Sequence, residues 1–412
     1  MNVLLSKKSI TSLSHIQIGG SKSESNRLLI LQKLFGKITI QNLSTSQDTL
    51  LLINGLNSKE NVIDIHHAGT AMRFLTAFFA TQPGREVTLT GSERMKERPI
   101  KILADALKQL GAQISYLEKE GFPPLKISGK KITKNKVTID AGVSSQYVSA
   151  LLLVAPALEN GLEITLTGNK TSLPYLKMTI DLLTELGIDI EFSKTRIVVK
   201  PFRGIVKKVD FHIESDWSSA SYFYNAVAFS PVGTSIKLSS FSRKSKQGDA
   251  ILPELFRHFG VETTFENDSF LVKKTTQNYP ESIQLNLQGT PDLAQTLAVC
   301  CFGLNITCEL TGLHTLKIKE TDRLQALKNE ISKLGGDCEI SQSKFLLRSR
   351  KESIKAEPVF ISTYNDHRMA MAFATLSFLF PIKIEDMEVV IKSYPEFWQD
   401  FQKLGIEVSA VK

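Results

Sequence analysis

The 412-residue sequence predicts an α/β protein built from six repeated modules, three in each of two domains. Three observations carry this. Six helix-patterned segments end at Gly36, Gly111, Gly187, Gly260, Gly335 and Gly405, at intervals of 70 to 76 residues. A short alternating stretch follows each of them. A second class of segment, of helical length and apolar over most of its surface, recurs between them. The period exceeds that of a solenoid repeat, so each unit is a small module with its own helices and strands.

The elements follow in order. "SNRLLILQKLFG", "RPIKILADALKQLG", "PYLKMTIDLLTELG", "DAILPELFRHFG", "DRLQALKNEISKLG" and "PEFWQDFQKLG" carry apolar residues at helical spacing. Each ends on a glycine, where a left-handed cap stops a helix. The strands behind them read "KITI", "AQISYL", "IDIEF", "VETTF", "DCEIS" and "IEVSAV". After Gly111, Gly187, Gly260 and Gly335 a turn leads to a second strand: "LKISG", "RIVVK", "FLVKK" and "FLLRS". The other helices are "AGTAMRFLTAFFA", "SQYVSALLLVAPAL", "SSASYFYNAVAF", "PDLAQTLAVCCF" and "DHRMAMAFATLSFLF". Their all-round apolarity predicts burial. In the first unit "SQDTLLLINGL" is the weaker counterpart. "KPFRGIVKKVDFHIES", residues 200–215, is the expected crossover. The last module lacks a second hairpin strand, which the N-terminal segment can supply. The expected domains are therefore 21–214, and 215–412 together with 1–20.

Composition narrows the function classes. Both charge signs are well mixed around a net charge of +8. That suits an anionic small molecule, and the chain has no dense Lys/Arg tail or aromatic stripe for nucleic acid. Cys300, Cys301, Cys308 and Cys338 lack metal-ligand spacing and read as reduced structural thiols, with no metal site. "MNVLLSKKSITSLSHI" is not a signal peptide, and no uncharged apolar run reaches the roughly 18 residues that span a bilayer. The expectation is a cytoplasmic monomer with no membrane partner.

Chemistry gathers at helix starts. "SKSES", "SERMKERP", "TSLPY", "KIKETDR" and "IKSYP" precede one class of helix. "HAGTAMR", "SSQY", "DWSSAS", "TPD" and "YNDHR" open the other. Helix N-termini present unpaired N–H groups and a partial positive charge, which suits anions. Ser, Thr and Asp also cap helices in any protein, so one cluster means little. Capping does not need Lys22, Arg27, Arg94, Lys319, Arg323, Arg368 and Lys392 beside the caps. That excess of cations points to a ligand rich in phosphates and carboxylates.

The ordered motifs "SKSxSxR", "AGTAMR", "RMKERPI", "SSQY", "PYLKMT", "DxSSASYF", "KETDRL", "NDHRMAM" and "KSYPEF" resemble the 3-phosphoshikimate 1-carboxyvinyltransferase family, the 5-enolpyruvylshikimate-3-phosphate synthases, from about Lys22 to Phe397. The resemblance implies a two-domain inside-out α/β barrel, each domain of three βαβαββ modules, with the active site in the inter-domain cleft. It implies transfer of the enolpyruvyl group of phosphoenolpyruvate to the 5-hydroxyl of shikimate 3-phosphate, through a tetrahedral intermediate and without metal or organic cofactor. It also implies competition by glyphosate at the turn containing Gly69.

The implied phosphoenolpyruvate ligands are Lys22, Gly69, Arg94, Gln146, Arg323, Arg368 and Lys392. The implied shikimate-phosphate ligands are Lys22, Ser23, Arg27, Ser144, Ser145, Gln146, Ser172, Tyr175, Asp292, Thr315 and Lys319. Asp292 matches the base for the hydroxyl and Glu320 the acid for the methylene carbon, with Lys22 and Lys392 able to share the proton transfers. Arg98 stays open between a helix-start cation and a ligand. Asp366 reads as a cap, His367 as a structural hydrogen-bonding residue, and Asp48 as a group that orients the phosphoenolpyruvate site. His67, Phe74, Trp217 and Thr315 depart from the usual family pattern, and Thr315 puts one shikimate contact in doubt.

Rival readings are a UDP-N-acetylglucosamine enolpyruvyl transferase, an RNA 3′-phosphate cyclase and a non-catalytic phosphometabolite-binding protein. The first is disfavoured because the loop "TGSERMKERP" has no Cys. The second would need a nucleotide-accepting His and a basic track. The third would be expected to have lost an acid or a lysine.

Overall fold

Five sheets have the same four strands in the same order, and that order explains the sequence period. The computed structural model that shows this describes residues 1–7, 13–204, 208–350 and 357–411. Residues 62–128 give the pattern: strand Val62–Asp64, helix Gly69–Ala80, strand Glu86–Thr90, helix Lys101–Gln109, then the hairpin of Gln113–Tyr116 and Leu125–Ser128. The first two strands are parallel. The last strand inserts antiparallel beside the second, and the third takes the edge. This βαβαββ arrangement recurs in residues 136–199 and 282–348. It recurs twice more with help from the N-terminus. Each sheet is open and none closes on itself among the described residues, so "barrel" does not denote a closed sheet here.

The N-terminal segment serves two modules. Asn2–Lys7 lies between Ile382–Ile384 and Ile406–Val411, antiparallel to both. Leu13–Gln17 is the first strand of another sheet, parallel to Ser235–Ser239. The chain divides into a unit of residues 20–213 and a unit of residues 1–19 with 214–412, each boundary one residue earlier than the sequence reading places it. Within the latter, the Ser215 hydroxyl donates to the Ile18 carbonyl at 2.6 Å and the Asp216 N–H to that of Gly19 at 3.1 Å.

The first module corrects the repeat series. Helix Lys22–Phe35 leads into strand Ile38–Gln41, which lies parallel to Val209–His212 in a two-stranded sheet. A helix that leads into the second of two parallel strands is, in every other module, the buried one. Helix 22–35 accordingly buries the whole run from Glu24 to Leu31. Helix Gln47–Asn57 takes the place of the glycine-ended helix, and no hairpin follows. Gly36 therefore ends an inner helix and does not belong with Gly111 and Gly187. A glycine cap reports only where a helix stops; burial decides which class it belongs to.

Three inner helices pack together in each unit. In 20–213 they are Lys22–Phe35, Gly69–Ala80 and Ser145–Val154, and buried Arg27 ties them. Its Nε donates to Thr179 Oγ1 at 2.7 Å and its Nη2 to Ser149 Oγ at 3.3 Å, while the guanidinium sits 5.5 Å from the Phe74 ring centre. Burial pushes its pKa down to about 10. In the other unit the inner helices are Trp217–Ala228, Ala294–Leu304 and His367–Ala374. Asn225 Nδ2 donates to the Thr296 carbonyl at 3.0 Å and to Thr375 Oγ1 at 3.2 Å. Polar groups paired in this way fix the arrangement of the helices. Trp217 is a core anchor: it stacks on Phe270 at 4.9 Å and donates its indole N–H to Glu214.

"DAILPELFRHFG" is not one helix. It forms three short turns, Gly248–Ile251, Leu252–Leu255 and Phe256–Phe259, because Pro253 has no N–H to continue the ladder. All four cysteines are free and buried. Among the described residues no helix is long and apolar enough to cross a membrane.

Strand Asn2–Lys7 is interior to its sheet, so deleting residues 1–7 is expected to abolish cooperative folding of the 214–412 unit. Circular dichroism melting checks this; an unchanged transition would show that the sheet closes without the strand.

Candidate active site

In the 20–213 unit the site residues collect at the starts of the inner helices and of helix Leu173–Glu185. Lys22, the first residue of its helix, pairs with the carboxylate of Asp48 at 3.1 Å. His67 Nε2 is 3.8 Å from the other oxygen of Asp48. Asp48 thus stands between the lysine and the turn that leads to Gly69.

Gly69 opens helix Gly69–Ala80, and its lack of a side chain matters. A Cβ there would lie 2.7 and 2.9 Å from the guanidinium nitrogens of Arg98 and 3.0 Å from Arg73. Arg73 holds the turn from beneath, donating to the Gly69 carbonyl at 3.0 Å and to the Pro99 carbonyl at 3.1 Å. The Tyr147 hydroxyl also donates to the Pro99 carbonyl. Gln146 Nε2 reaches Thr70 Oγ1 at 3.2 Å, which brings the start of helix Ser145–Val154 to the same turn. Ser144 caps that helix by accepting from the Gln146 N–H, and Ser145 is buried behind it.

Two of the expected ligands make contacts within the protein. Arg94 sits on a short helical turn, 42% exposed, paired with Glu97 at 2.9 Å. The cation that reaches the Gly69 turn is Arg98, which is 7% exposed. Four residues separate them. The signal in the sequence is the Arg-Pro pair opening a helix: Pro99 offers only a carbonyl, and two buried donors claim it.

Arg27 is already committed. Besides Thr179 and Ser149 it donates to the Ser23 carbonyl at 2.7 Å and the Tyr175 carbonyl at 3.2 Å. It therefore holds the backbone at Ser23 and Tyr175. Ser172 precedes helix Leu173–Glu185 in a left-handed conformation, φ 53°, with no capping bond from its side chain. Among the described residues the buried Thr171 hydroxyl beside it has no hydrogen-bond partner, and neither has that of Ser21 at the start of helix 22–35.

In the 214–412 unit one arginine gathers three carboxylates. Arg323 opens helix Arg323–Lys333 and is 2% exposed. Its Nη1 binds Asp292 at 2.9 Å, Nη2 binds Glu320 at 2.8 Å, and Nε binds Asp366 at 2.7 Å. Asp292 lies on the turn Pro291–Leu293, and Asp366 caps helix His367–Ala374 by accepting from the Arg368 N–H at 2.9 Å. Tyr364 and Asn365, both left-handed, turn the chain sharply into that cap. His367 is buried beside Asp366, with Nδ1 3.7 Å from its carboxylate.

Further cations close on the same acids. Arg368 Nη2 is 3.2 Å and Lys319 Nζ 3.6 Å from Asp292, and Lys392 Nζ is 3.1 Å from Glu320. Burial alone would raise the Asp292 pKa; Arg368, Lys319 and Arg323 outweigh it and hold the carboxyl well below the usual range. Burial alone would lower the Arg323 pKa; Asp366, Glu320 and Asp292 reverse this and raise it. Thr315, one helical turn before Lys319, is buried, and its hydroxyl has no partner in the protein. Among the described residues no group of three or more His, Cys, Asp or Glu side chains is placed to hold a metal ion.

The family model described as EPSP synthase (3-phosphoshikimate 1-carboxyvinyltransferase) matches residues 52–401. A curated 3-phosphoshikimate 1-carboxyvinyltransferase from Bacteroides fragilis is 43% identical over 408 residues, 95% of either chain. One from Haemophilus influenzae is 34% identical over 423 residues, covering 95% of this chain and 96% of its own. The solved EPSP synthase from Acinetobacter baumannii matches with TM-score 0.76 at 21% identity, over 99% of this chain and 100% of that one. The enolpyruvyl transferase NikO from Streptomyces tendae matches with TM-score 0.75 at 13% identity, over 100% of this chain and 99% of that one. At such identities these two structures speak for the fold.

Replacing Arg323 by Ala strands three largely buried carboxylates, and the 214–412 unit should lose about 3–5 kcal/mol in urea unfolding. The folded-state pKa of Asp292 is depressed, so its share of the stability is full at neutral pH and is lost as pH falls below the ordinary carboxylate range. The difference between the wild type and Arg323→Ala should therefore shrink in acid. A pH-independent difference would show that Arg323 acts by packing alone.

Proposed function

The chain belongs to the EPSP synthase family, and from that premise we propose that it transfers the enolpyruvyl group of phosphoenolpyruvate to the 5-hydroxyl of shikimate 3-phosphate and releases phosphate. The relatives' names favour shikimate 3-phosphate over UDP-N-acetylglucosamine as the acceptor. The observation that carries the chemical reading is the joint hold of Arg323 on Asp292 and Glu320, with Lys319, Arg368 and Lys392 beside them.

Asp292 accepts the proton of the 5-hydroxyl as its oxygen bonds to C2 of phosphoenolpyruvate. Glu320 delivers a proton to C3, the methylene carbon, giving a tetrahedral adduct. Lys392 is close enough to Glu320 to exchange that proton. In the second half C3 returns a proton to Glu320, the C2–phosphate oxygen bond breaks, and the proton on Asp292 leaves with the phosphate. The atoms balance with no cofactor. In the free protein Asp292 is a weak base, because three cations hold its charge. Anionic substrates that draw on Arg368 and Lys319 relax that hold and make Asp292 more basic when the hydroxyl is present.

Lys22, Gly69, Arg94, Gln146, Arg323, Arg368 and Lys392 contact phosphoenolpyruvate, with Arg98 beside them at the Gly69 turn. Arginine suits bidentate carboxylate or phosphate contacts, and lysine a point charge. Ser23, Arg27, Ser144, Ser145, Gln146, Ser172, Tyr175, Asp292, Thr315 and Lys319 contact shikimate 3-phosphate, and Lys22 is shared between the two substrates. The protein works as a monomer in the cytoplasm.

A coupled phosphate-release assay with both substrates, repeated with UDP-N-acetylglucosamine as acceptor, tests this reading. Release only with the sugar nucleotide would overturn it. Asp292→Ala is expected to cost at least about a hundredfold in kcat, within the range for a general base; near-normal turnover would remove the base assignment. Gly69→Ala pushes the Arg98 guanidinium aside and should raise KM for phosphoenolpyruvate by about tenfold, the cost of one weakened charge-assisted contact. An unchanged KM would place that substrate elsewhere.

A further inference from the structure

A carboxylate outside the sites described so far lies behind Arg368. Asp249 is 2% exposed, on the short turn Gly248–Ile251 that Pro253 separates from the rest of its segment. Its Oδ2 accepts from the hydroxyl of Ser218. Ser218 Oγ in turn accepts from Arg368 Nη2 at 3.4 Å, and the same Nη2 lies 3.2 Å from Asp292. The Arg368 Nη1 donates to the main-chain carbonyl of Asp292 at 3.3 Å. A chain of contacts therefore runs from Asp249 through Ser218 and Arg368 to Asp292. Among the described residues the other oxygen of Asp249 has no hydrogen-bond partner.

We infer that Asp249, acting through Ser218, is a positioning residue that sets where Arg368 meets Asp292 and the anionic substrate. The inference rests on the roles proposed above for Arg368 and Asp292. A hydroxyl has one proton and two lone pairs. When Asp249 is ionised it takes the Ser218 proton, and the serine's lone pairs are left for the guanidinium. When Asp249 is protonated it can instead donate to one of those lone pairs, so the serine proton turns elsewhere and the hold on Arg368 weakens. The short turn suits this role, because a continuous helix would carry Asp249 in a regular ladder, whereas the interrupted segment lets it sit against the start of helix Trp217–Ala228.

The charged groups facing Asp249 are Asp292 on its turn, Arg368 on helix His367–Ala374 and Asp216 at the cap of helix Trp217–Ala228. Burial is the largest influence and, with Asp292 and Asp216, pushes the Asp249 pKa up to about 7 against the opposing pull of Arg368 and Ser218. The switch between the two serine orientations then falls within the working range.

The test compares wild type, Asp249→Asn, Ser218→Ala and the double variant in the phosphate-release assay across pH 5.5 to 9. At pH 8 each single variant should lose about tenfold in kcat/KM for phosphoenolpyruvate, the scale of one hydrogen bond to a charged group. The double variant should be no worse than either, because both act through one contact. The wild-type profile should fall on the acid side of about pH 7 with a limb that both single variants lack. Additive losses, or a limb that survives in both variants, would overturn the inference. Ser218→Ala removes only a half-buried hydroxyl, so it keeps the test decisive if Asp249→Asn fails to fold. A wild-type protein with no turnover on the two substrates would instead sink the functional reading itself.

Discussion

Three carboxylates cannot share a largely water-excluded space unless something holds them, and in the 214–412 unit that something is the guanidinium of Arg323. It meets Asp292, Glu320 and Asp366 with three different nitrogens at 2.7 to 2.9 Å. Those acids come from a short turn, from the segment ahead of helix Arg323–Lys333, and from the cap of helix His367–Ala374. The relative placement of three elements is thus set by one planar cation, whose fork geometry tolerates little displacement. Lys319, Arg368 and Lys392 bring the group to four cations against three anions. Its net charge is positive, so an anion can enter without first displacing an acid.

The 20–213 unit prepares for anions by different means. Lys22 has Asp48, but Arg98 and Arg73 are arranged around backbone, against Gly69 and the Pro99 carbonyl. Helix starts contribute the rest, with N–H groups at Lys22, Gly69 and Ser145 and hydroxyls at Ser21, Thr171 and Ser172 close by. One unit therefore carries the acids proposed to move protons, and the other carries mainly donors at its helix starts.

Much of this was legible in the chain because the relevant signals are local. A glycine cap, a run of alternating residues and an all-round apolar helix each occupy a dozen positions or fewer, and five modules repeat them. Asp292, Glu320 and Arg323 stood out for the same reason, within "TPD" and "KETDR". The misreadings share the opposite property. Placing helix 22–35 in the wrong class came from its glycine, when its partner strand, Val209–His212, lies some 170 residues away. Arg98 was left open because its place depends on Gly69, about 30 residues earlier. The contacts Arg27 makes inside the protein were not legible, because Ser149, Tyr175 and Thr179 lie on helices far along the chain. Asp249 was invisible, since only the interruption at Pro253 brings it to Ser218.

The strand Asn2–Lys7 has a consequence for how the protein comes into being. Residue 2 pairs with residue 411, and Val3 with Ile384. On the ribosome these partners emerge about 400 residues apart, whereas the sheets of the 20–213 unit pair strands within that stretch. The middle unit can close while the chain is still growing, but the other must keep an apolar strand unpaired until residues 382–411 appear. Such a nascent strand is open to association with other chains in the interval. The sheet that finishes the molecule is therefore also its point of greatest exposure during biosynthesis.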